Sequence, residues 1–264
     1  MNDPIIISCA VTGNKWMRED NPNIPYSASE IISASLEAVE AGATVLHVHA
    51  RTPEGKLAQR PEDFREIIEA VRREKPDTLF EMSVGNMEGK AKERLEPLLQ
   101  LKPDMASFNL KGTEEETEYM FEIFNKYDVK PVFELFNEAL LERVKKYASR
   151  GLVQEPFYFN FVFDLEDVGK TTLEYSDYLV KMIKLLPPGT QWSATRGGYR
   201  ALEMSAVAAC LNGGIRTGLE DSIYLEEGVL AESNKQLVER AVDLVKAMGK
   251  RIADSTETKA MLGL

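Results

Sequence analysis

The chain contains only two histidines, and both fall in one tripeptide, His47-Val48-His49. In an extended strand, residues i and i+2 point to the same side, so the two imidazoles face the same way. If that side is the interior of a barrel they converge at its mouth, where two neutral imidazoles form a half-site for Zn²⁺. The other reading is a pair of core histidines satisfied by hydrogen bonds, at a desolvation cost that Val or Thr would avoid. A third zinc ligand has to be a carboxylate, because no histidine remains and neither cysteine is suitably placed. The segment Arg216-Thr217-Gly218-Leu219-Glu220-Asp221 offers one, at a strand end that carries a cation and two adjacent carboxylates. With Glu220 as the oxygen ligand the set is His₂Glu with an open position, the pattern of catalytic zinc. Asp221, turned differently, can pair with Arg216 and serve as general base, the guanidinium orienting the carboxylate and limiting its pKa.

Other strand ends bring polar groups to the same level: Ser83 followed by Gly85, then Ser107 and Asn109, then Glu134. Each alone reads as a cap or loop residue; together with the histidines and Glu220 they describe a polar ring around one site. Lys15, just after the first strand, adds a cation at the rim, or else is an ordinary solvated lysine.

These residues need elements to hold them, and the chain alternates short apolar runs with longer amphipathic ones. Strands are expected at Ile5–Val11, Thr44–His49, Leu79–Ser83, Met105–Asn109, Pro131–Leu135, Phe157–Phe163, Gln191–Thr195 and Gly214–Thr217. Helices are expected at Ser29–Ala41, Pro61–Glu74, Ala91–Leu101, Glu114–Tyr127, Ala139–Ser149, Leu173–Leu185, Ala201–Asn212 and Ser233–Met248. Ser27 or Ser29 can cap the first helix, and the acidic run Glu114–Glu116 suits the first turn of the fourth. Runs such as Ile5-Ile6-Ile7 lack strict alternation, as strands buried on both faces do. Eight strand–helix units close most naturally into a (β/α)₈ TIM barrel, an α/β fold whose chemistry sits at the carboxyl ends of the strands. A doubly wound open sheet is the runner-up, but no Gly-x-Gly-x-x-Gly follows the first strand. No linker or composition break divides residues 1–264, so one domain is expected.

With 44% hydrophobic and 28% charged residues, the 264-residue chain can bury a sizeable core. Its net charge of −11 argues against nucleic-acid and anionic-membrane partners, which want clustered Lys and Arg. Cys9 and Cys210 lie in segments that read as buried, so no disulfide framework is expected. No leader pattern and no apolar stretch of membrane-spanning length is present, so the expectation is a soluble cytoplasmic protein, working as a homo-oligomer.

Taken together the motifs resemble one family, the β-keto acid cleavage enzymes, over nearly the whole chain. The resemblance rests on Val11-Thr12-Gly13, Asn23-Ile24-Pro25, the block Ala41-Gly42-Ala43-Thr44-Val45-Leu46-His47-Val48-His49-Ala50-Arg51, Gly213-Gly214-Ile215-Arg216-Thr217-Gly218-Leu219-Glu220-Asp221 and Ala231-Glu232-Ser233-Asn234. It implies a zinc-dependent transferase that exchanges a β-keto acid with acetyl-CoA, releasing acetoacetate and a new CoA thioester. It further implies His47, His49 and Glu220 as zinc ligands, and Asp221 with Arg216 as the proton-abstracting pair. Ser83, Ser107 and Glu134 would contact the substrate or support the site. Lys15 stands where members acting on amino-substituted substrates often carry an acid, so the distal group of the substrate is expected to be anionic or neutral.

Two other classes compete. A metal-dependent aldolase or lyase could use the same ligands to stabilise an enolate, and a non-catalytic small-molecule-binding barrel could retain the fold. An amidohydrolase-type zinc enzyme also uses His-x-His in a barrel, but wants further histidines that this chain lacks.

Overall fold

Eight parallel strands close on themselves in chain order: β1 (Ile7–Ala10), β2 (Val45–Val48), β3 (Leu79–Ser83), β4 (Met105–Phe108), β5 (Lys130–Leu135), β6 (Tyr158–Phe163), β7 (Gln191–Arg196) and β8 (Gly214–Thr217), with β8 back beside β1. The computed structural model describes residues 4–58, 60–84, 91–110, 112–163 and 170–264, with the backbone alone for 91–94. The expected (β/α)₈ barrel is therefore the observed fold. Between the strands run α1 (Ala28–Ala41), α2 (Pro61–Glu74), α3 (Ala91–Leu99), α4 (Glu114–Tyr127), α5 (Glu138–Ser149), α6 (Thr172–Ile183), α7 (Ala201–Cys210) and α8 (Asn234–Ala247).

Helix starts follow cap chemistry. Ser27, not Ser29, caps α1: it accepts from the Glu30 N–H while the Glu30 carboxylate reaches back to the Ser27 N–H, a capping box that removes two orphan donors. Thr113 with Glu116 and Thr171 with Glu174 repeat the device on α4 and α6. Cys210 departs from expectation: Ala208 and Ala209 carry the buried stripe of α7, and Cys210 at the next step round the helix is exposed.

Register explains how the interior divides. Partners such as Ser8↔Arg216, Ala10↔His47, His47↔Glu81, Ser83↔Ser107 and Glu134↔Asn160 share one face of the sheet, the inner one. The alternate residues, among them Cys9, Leu46, Phe80, Met82, Phe108, Phe133 and Phe159, face outward into the helix layer and form the main core. At the amino-terminal end the inner face is apolar, where Ile6, Val45, Leu79, Met105, Val132 and Tyr158 pack against Ala253 and Leu262. Leu262 belongs to α9 (Ser255–Leu262), a short helix absent from the sequence expectation. Above this floor the inner face turns polar, with Ser8, His47, Glu81, Ser107, Asn160, Ser193 and Arg216 all buried. The polar level lies toward the carboxyl ends of the strands, where barrel chemistry belongs.

Candidate active site

His47 sits on β2 and faces inward, while His49 follows one residue past the strand end, where the chain leaves to pair Ala50–Arg51 with Leu57–Ala58 in a short hairpin. The two rings meet edge to face with centroids 5.3 Å apart. Glu220 reaches them from the loop after β8. That loop hugs β1: the Glu220 N–H donates to the Ala10 carbonyl at 3.2 Å, and Gly218 at φ +133 passes so close to Ala10 that any Cβ would strike its carbonyl. Gly13 leaves room for the Glu220 side chain, since a Cβ there would overlap Glu220 Cγ and Cδ. Asn234, the first residue of α8, fastens the loop by accepting from Leu219 N–H at 2.9 Å and donating to the Val11 carbonyl at 2.9 Å.

The result is a triangle of donor atoms. Glu220 Oε1 lies 3.4 Å from His47 Nε2 and 3.5 Å from His49 Nε2, and one ligand atom from each residue falls within 4.8 Å of the others. Donors on a tetrahedral ion with bonds of about 2.0–2.2 Å stand roughly 3.3–3.6 Å apart, so the spacing suits such an ion. His47 Nε2 and Glu220 Oε2 are buried with no hydrogen-bond partner among the described residues, an unfavourable arrangement that a shared cation would resolve. The electrostatics agree. Burial and Arg216 oppose a charge on His47, yet Glu220 and Glu81 outweigh them and push its pKa up to about 10. Burial holds His49 down. Burial would raise Glu220, but His47, His49 and Arg216 keep it well below the usual carboxylate range.

Arg216 is the hub of the site. Its Nε and Nη2 grip Asp221 at 2.9 and 3.1 Å, Nη2 also reaches Glu220 Oε1 at 2.9 Å, and Nη1 stands 3.9 Å from Glu81 Oε1. Both Arg216 and Asp221 are buried. Glu81 in turn meets His47 Nδ1 at 2.9 Å. Sequence reading passed over Glu81, although a carboxylate at the centre of Leu79-Phe80-Glu81-Met82-Ser83 alternates with outward apolar residues and shares the face of Ser83.

The remaining expected residues among those described lie at or just beyond the carboxyl ends of the strands. Ser83 and Ser107 are register partners on the inner face, both buried, and Ser107 Oγ has no hydrogen-bond partner among the described residues. Asn109 is buried one residue beyond β4. Glu134 lies on the inner face of β5 beside Asn160. Burial raises its pKa against the opposing pull of Arg216 and His47, which favours its protonated form. Gly85 lies outside the described residues. Lys15 is half-buried on the loop after β1, its ammonium 4.2 Å from the Trp16 ring centroid. Arg51 fixes that loop: Nη2 donates to the Trp16 carbonyl at 2.9 Å, and the guanidinium lies over the Tyr26 ring at 4.8 Å.

A parallel barrel with two histidines and a carboxylate converging at the carboxyl ends of its strands, beside a buried Arg–Asp pair, defines a barrel enzyme with a candidate metal centre. The sequence matches the family described as beta-keto acid cleavage enzyme over residues 4–264, and the chain belongs to that family. It is 34% identical over 276 residues to the 3-keto-5-aminohexanoate cleavage enzyme of Fusobacterium nucleatum subsp. nucleatum, covering 100% of this chain and 99% of that one. It is 29% identical over 274 residues to the 3-oxoadipate:acetyl-CoA acetyltransferase of Cupriavidus necator, covering 100% of this chain and 96% of the relative. Among solved structures, the ternary complex of ObcA with C4-CoA adduct and oxalate shares the fold, with a TM-score of 0.70 and 18% identity across 92% of this chain and 68% of that chain.

Proposed function

We propose that the chain exchanges a β-keto acid with acetyl-CoA, releasing acetoacetate and a new acyl-CoA, with Zn²⁺ held by His47, His49 and Glu220. The observation that carries the reading is one guanidinium, Arg216, joining the ligand Glu220 to the base Asp221. Zinc bound there supplies Lewis acidity beside the substrate's oxygens and favours the carbanion form of the keto acid. Asp221, oriented by Arg216, takes the C2 proton of the β-keto acid. The C2 carbanion attacks the thioester carbonyl of acetyl-CoA and expels the CoA thiolate. That thiolate adds to the original keto carbonyl, the C2–C3 bond breaks, and the proton held by Asp221 returns to the departing acetoacetate carbon. Ser83, Ser107 and Asn109 offer donors for the substrate's carboxylate and keto oxygens, and the proposed substrate set includes Gly85, two residues after Ser83. Burial shifts Glu134 toward its protonated form, the form that donates rather than repels.

The two relatives are named for an amino-substituted keto acid and for a keto dicarboxylate, so the family spans both tail charges. Lys15 favours the anionic or neutral kind, because an ammonium at the rim repels an ammonium tail. The same reading takes residues 1–264 as one cytoplasmic domain in a homo-oligomer. No helix among the described residues is long and apolar enough to cross a membrane. Val229 and Leu230, adjacent and exposed on the hairpin after β8, suit a contact between copies. A screen of β-keto acids with acetyl-CoA, read as acetoacetate, tests the activity. Enzyme stripped with a chelator is expected to be inactive and to recover with one equivalent of Zn²⁺. Undiminished turnover after stripping contradicts the metal assignment.

A further inference from the structure

Glu81 is a buried carboxylate that no motif in the sequence singled out. Its strand pairs with β2 so that His47 and Glu81 are register partners, and both side chains leave the sheet toward the barrel axis. Glu81 Oε1 stands 2.9 Å from His47 Nδ1 and 3.9 Å from Arg216 Nη1. A carboxylate only accepts, so Nδ1 carries the hydrogen of that bond and the lone pair of the neutral ring is left on Nε2. Nε2 is the atom that faces Glu220 Oε1 at 3.4 Å and lacks a hydrogen-bond partner among the described residues. A charged group on a barrel's inner wall is costly to bury, and a serine or valine would fill the strand position without that cost.

We infer that Glu81 is a positioning residue of the metal centre: it fixes the tautomer and ring orientation of His47 and, through Arg216, ties that ligand to Asp221. This rests on the reading of His47, His49 and Glu220 as metal ligands. Partners of this kind are typically worth 10–100-fold in metal affinity. Of the other interior polar groups, the chain Tyr158 Oη to Ser193 Oγ (3.3 Å) and Ser193 Oγ to Asn160 Oδ1 (3.1 Å) touches neither histidine, so it provides an internal control.

The test is a Zn²⁺ titration against a chromophoric chelator, on wild type, Glu81→Met, Glu81→Gln and Tyr158→Phe, each checked for folding by circular dichroism. Glu81→Met, similar in volume but with no acceptor, is expected to bind zinc about 10–100-fold more weakly. Glu81→Gln keeps an acceptor oxygen without the charge and is expected to fall measurably between the two. Tyr158→Phe is expected to bind as wild type does. If both folded Glu81 variants bind with wild-type affinity the inference is overturned. Should the Met variant not fold, wild-type affinity in Glu81→Gln is enough to overturn it. A loss in Tyr158→Phe as large as in the Glu81 variants also overturns it, because general loosening of the barrel would then explain both. A wild type that takes up no zinc contradicts the ligand assignment itself, and this inference with it.

Discussion

Arg216, on β8, holds Asp221 of the loop that follows with two N–H donors at 2.9 and 3.1 Å, and both residues are buried. One of those donors, Nη2, also reaches Glu220 at 2.9 Å, so the two carboxylates are fixed by the same planar group. Asp221 itself stands outside the His47–His49–Glu220 triangle. Asp221→Asn is therefore expected to keep its metal content near normal while turnover falls by about 10²-fold or more. Elemental analysis beside steady-state kinetics checks it. Loss of metal in this variant would make Asp221 a ligand instead.

Much of this arrangement was legible in the sequence. The strand runs are short and bounded by Gly, Pro or polar residues, and Leu79–Ser83 and Gly214–Thr217 match the observed strands end for end. His47, His49, Arg216, Glu220 and Asp221 stand out because each sits at a strand end or in the loop just after one, and histidine occurs nowhere else. What stayed hidden depends on pairing between strands. Glu81 gains its meaning only from the register that sets it against His47, which one strand's composition does not encode. Asn234 was visible as part of a motif, but its grip on Leu219 and Val11 joins residues 15 and 223 positions apart. The α9 helix closing the floor was missed because its short run has only Leu262 and Thr258 buried, too few to set a period.

Gly13 tests whether the space beside β1 is needed by Glu220. No positive φ is required there, so the penalty of a side chain at this position is steric and falls on Glu220. Gly13→Ala is expected to fold and to bind zinc at least about tenfold more weakly, on the scale seen when ligand orientation is disturbed. Chelator competition measures it. Wild-type affinity would mean that Glu220 approaches the histidines by another route.

Lys15 governs the tail of the substrate in this account. Like charges near 4 Å repel by up to about 4 kcal/mol at an effective dielectric of 20, and a fraction of that, about 1.4 kcal/mol, is tenfold in kcat/KM. Carboxyl- or alkyl-tailed β-keto acids are expected to exceed an amino-tailed one by about tenfold in wild type, with the order reversed in Lys15→Glu. An amino-tailed substrate that ranks best in wild type, or a ranking unmoved by the substitution, contradicts the assignment.

The first helix carries a pH-dependent stability device. Glu30 is held at about 2, chiefly by the Ser27 N–H, which outweighs the opposing effect of burial, with further help from the Tyr26 N–H and Arg18. Its folded pKa lies below the unfolded value of 4.5, so its contribution is complete above pH 4.5 and is lost as pH falls toward 2. Because the side chain is 46% exposed, solvent screening limits the effect to about 1 kcal/mol. Denaturant titrations from pH 6 to pH 2 are expected to show this acid-side loss in wild type and its removal in Glu30→Gln. Parallel curves for the two proteins would place the acid sensitivity elsewhere.

The central claim is that the acetyl group of acetyl-CoA ends in acetoacetate while the rest of the β-keto acid leaves as a new thioester. Incubating the zinc-loaded enzyme with acetyl-CoA carrying ¹³C in both acetyl carbons, and an unlabelled β-keto acid, tests it directly by NMR. The account predicts label in the carbonyl and methyl carbons of acetoacetate and none in the acyl group of the new CoA thioester. Unlabelled acetoacetate, or cleavage of the β-keto acid without acetyl-CoA, would contradict it.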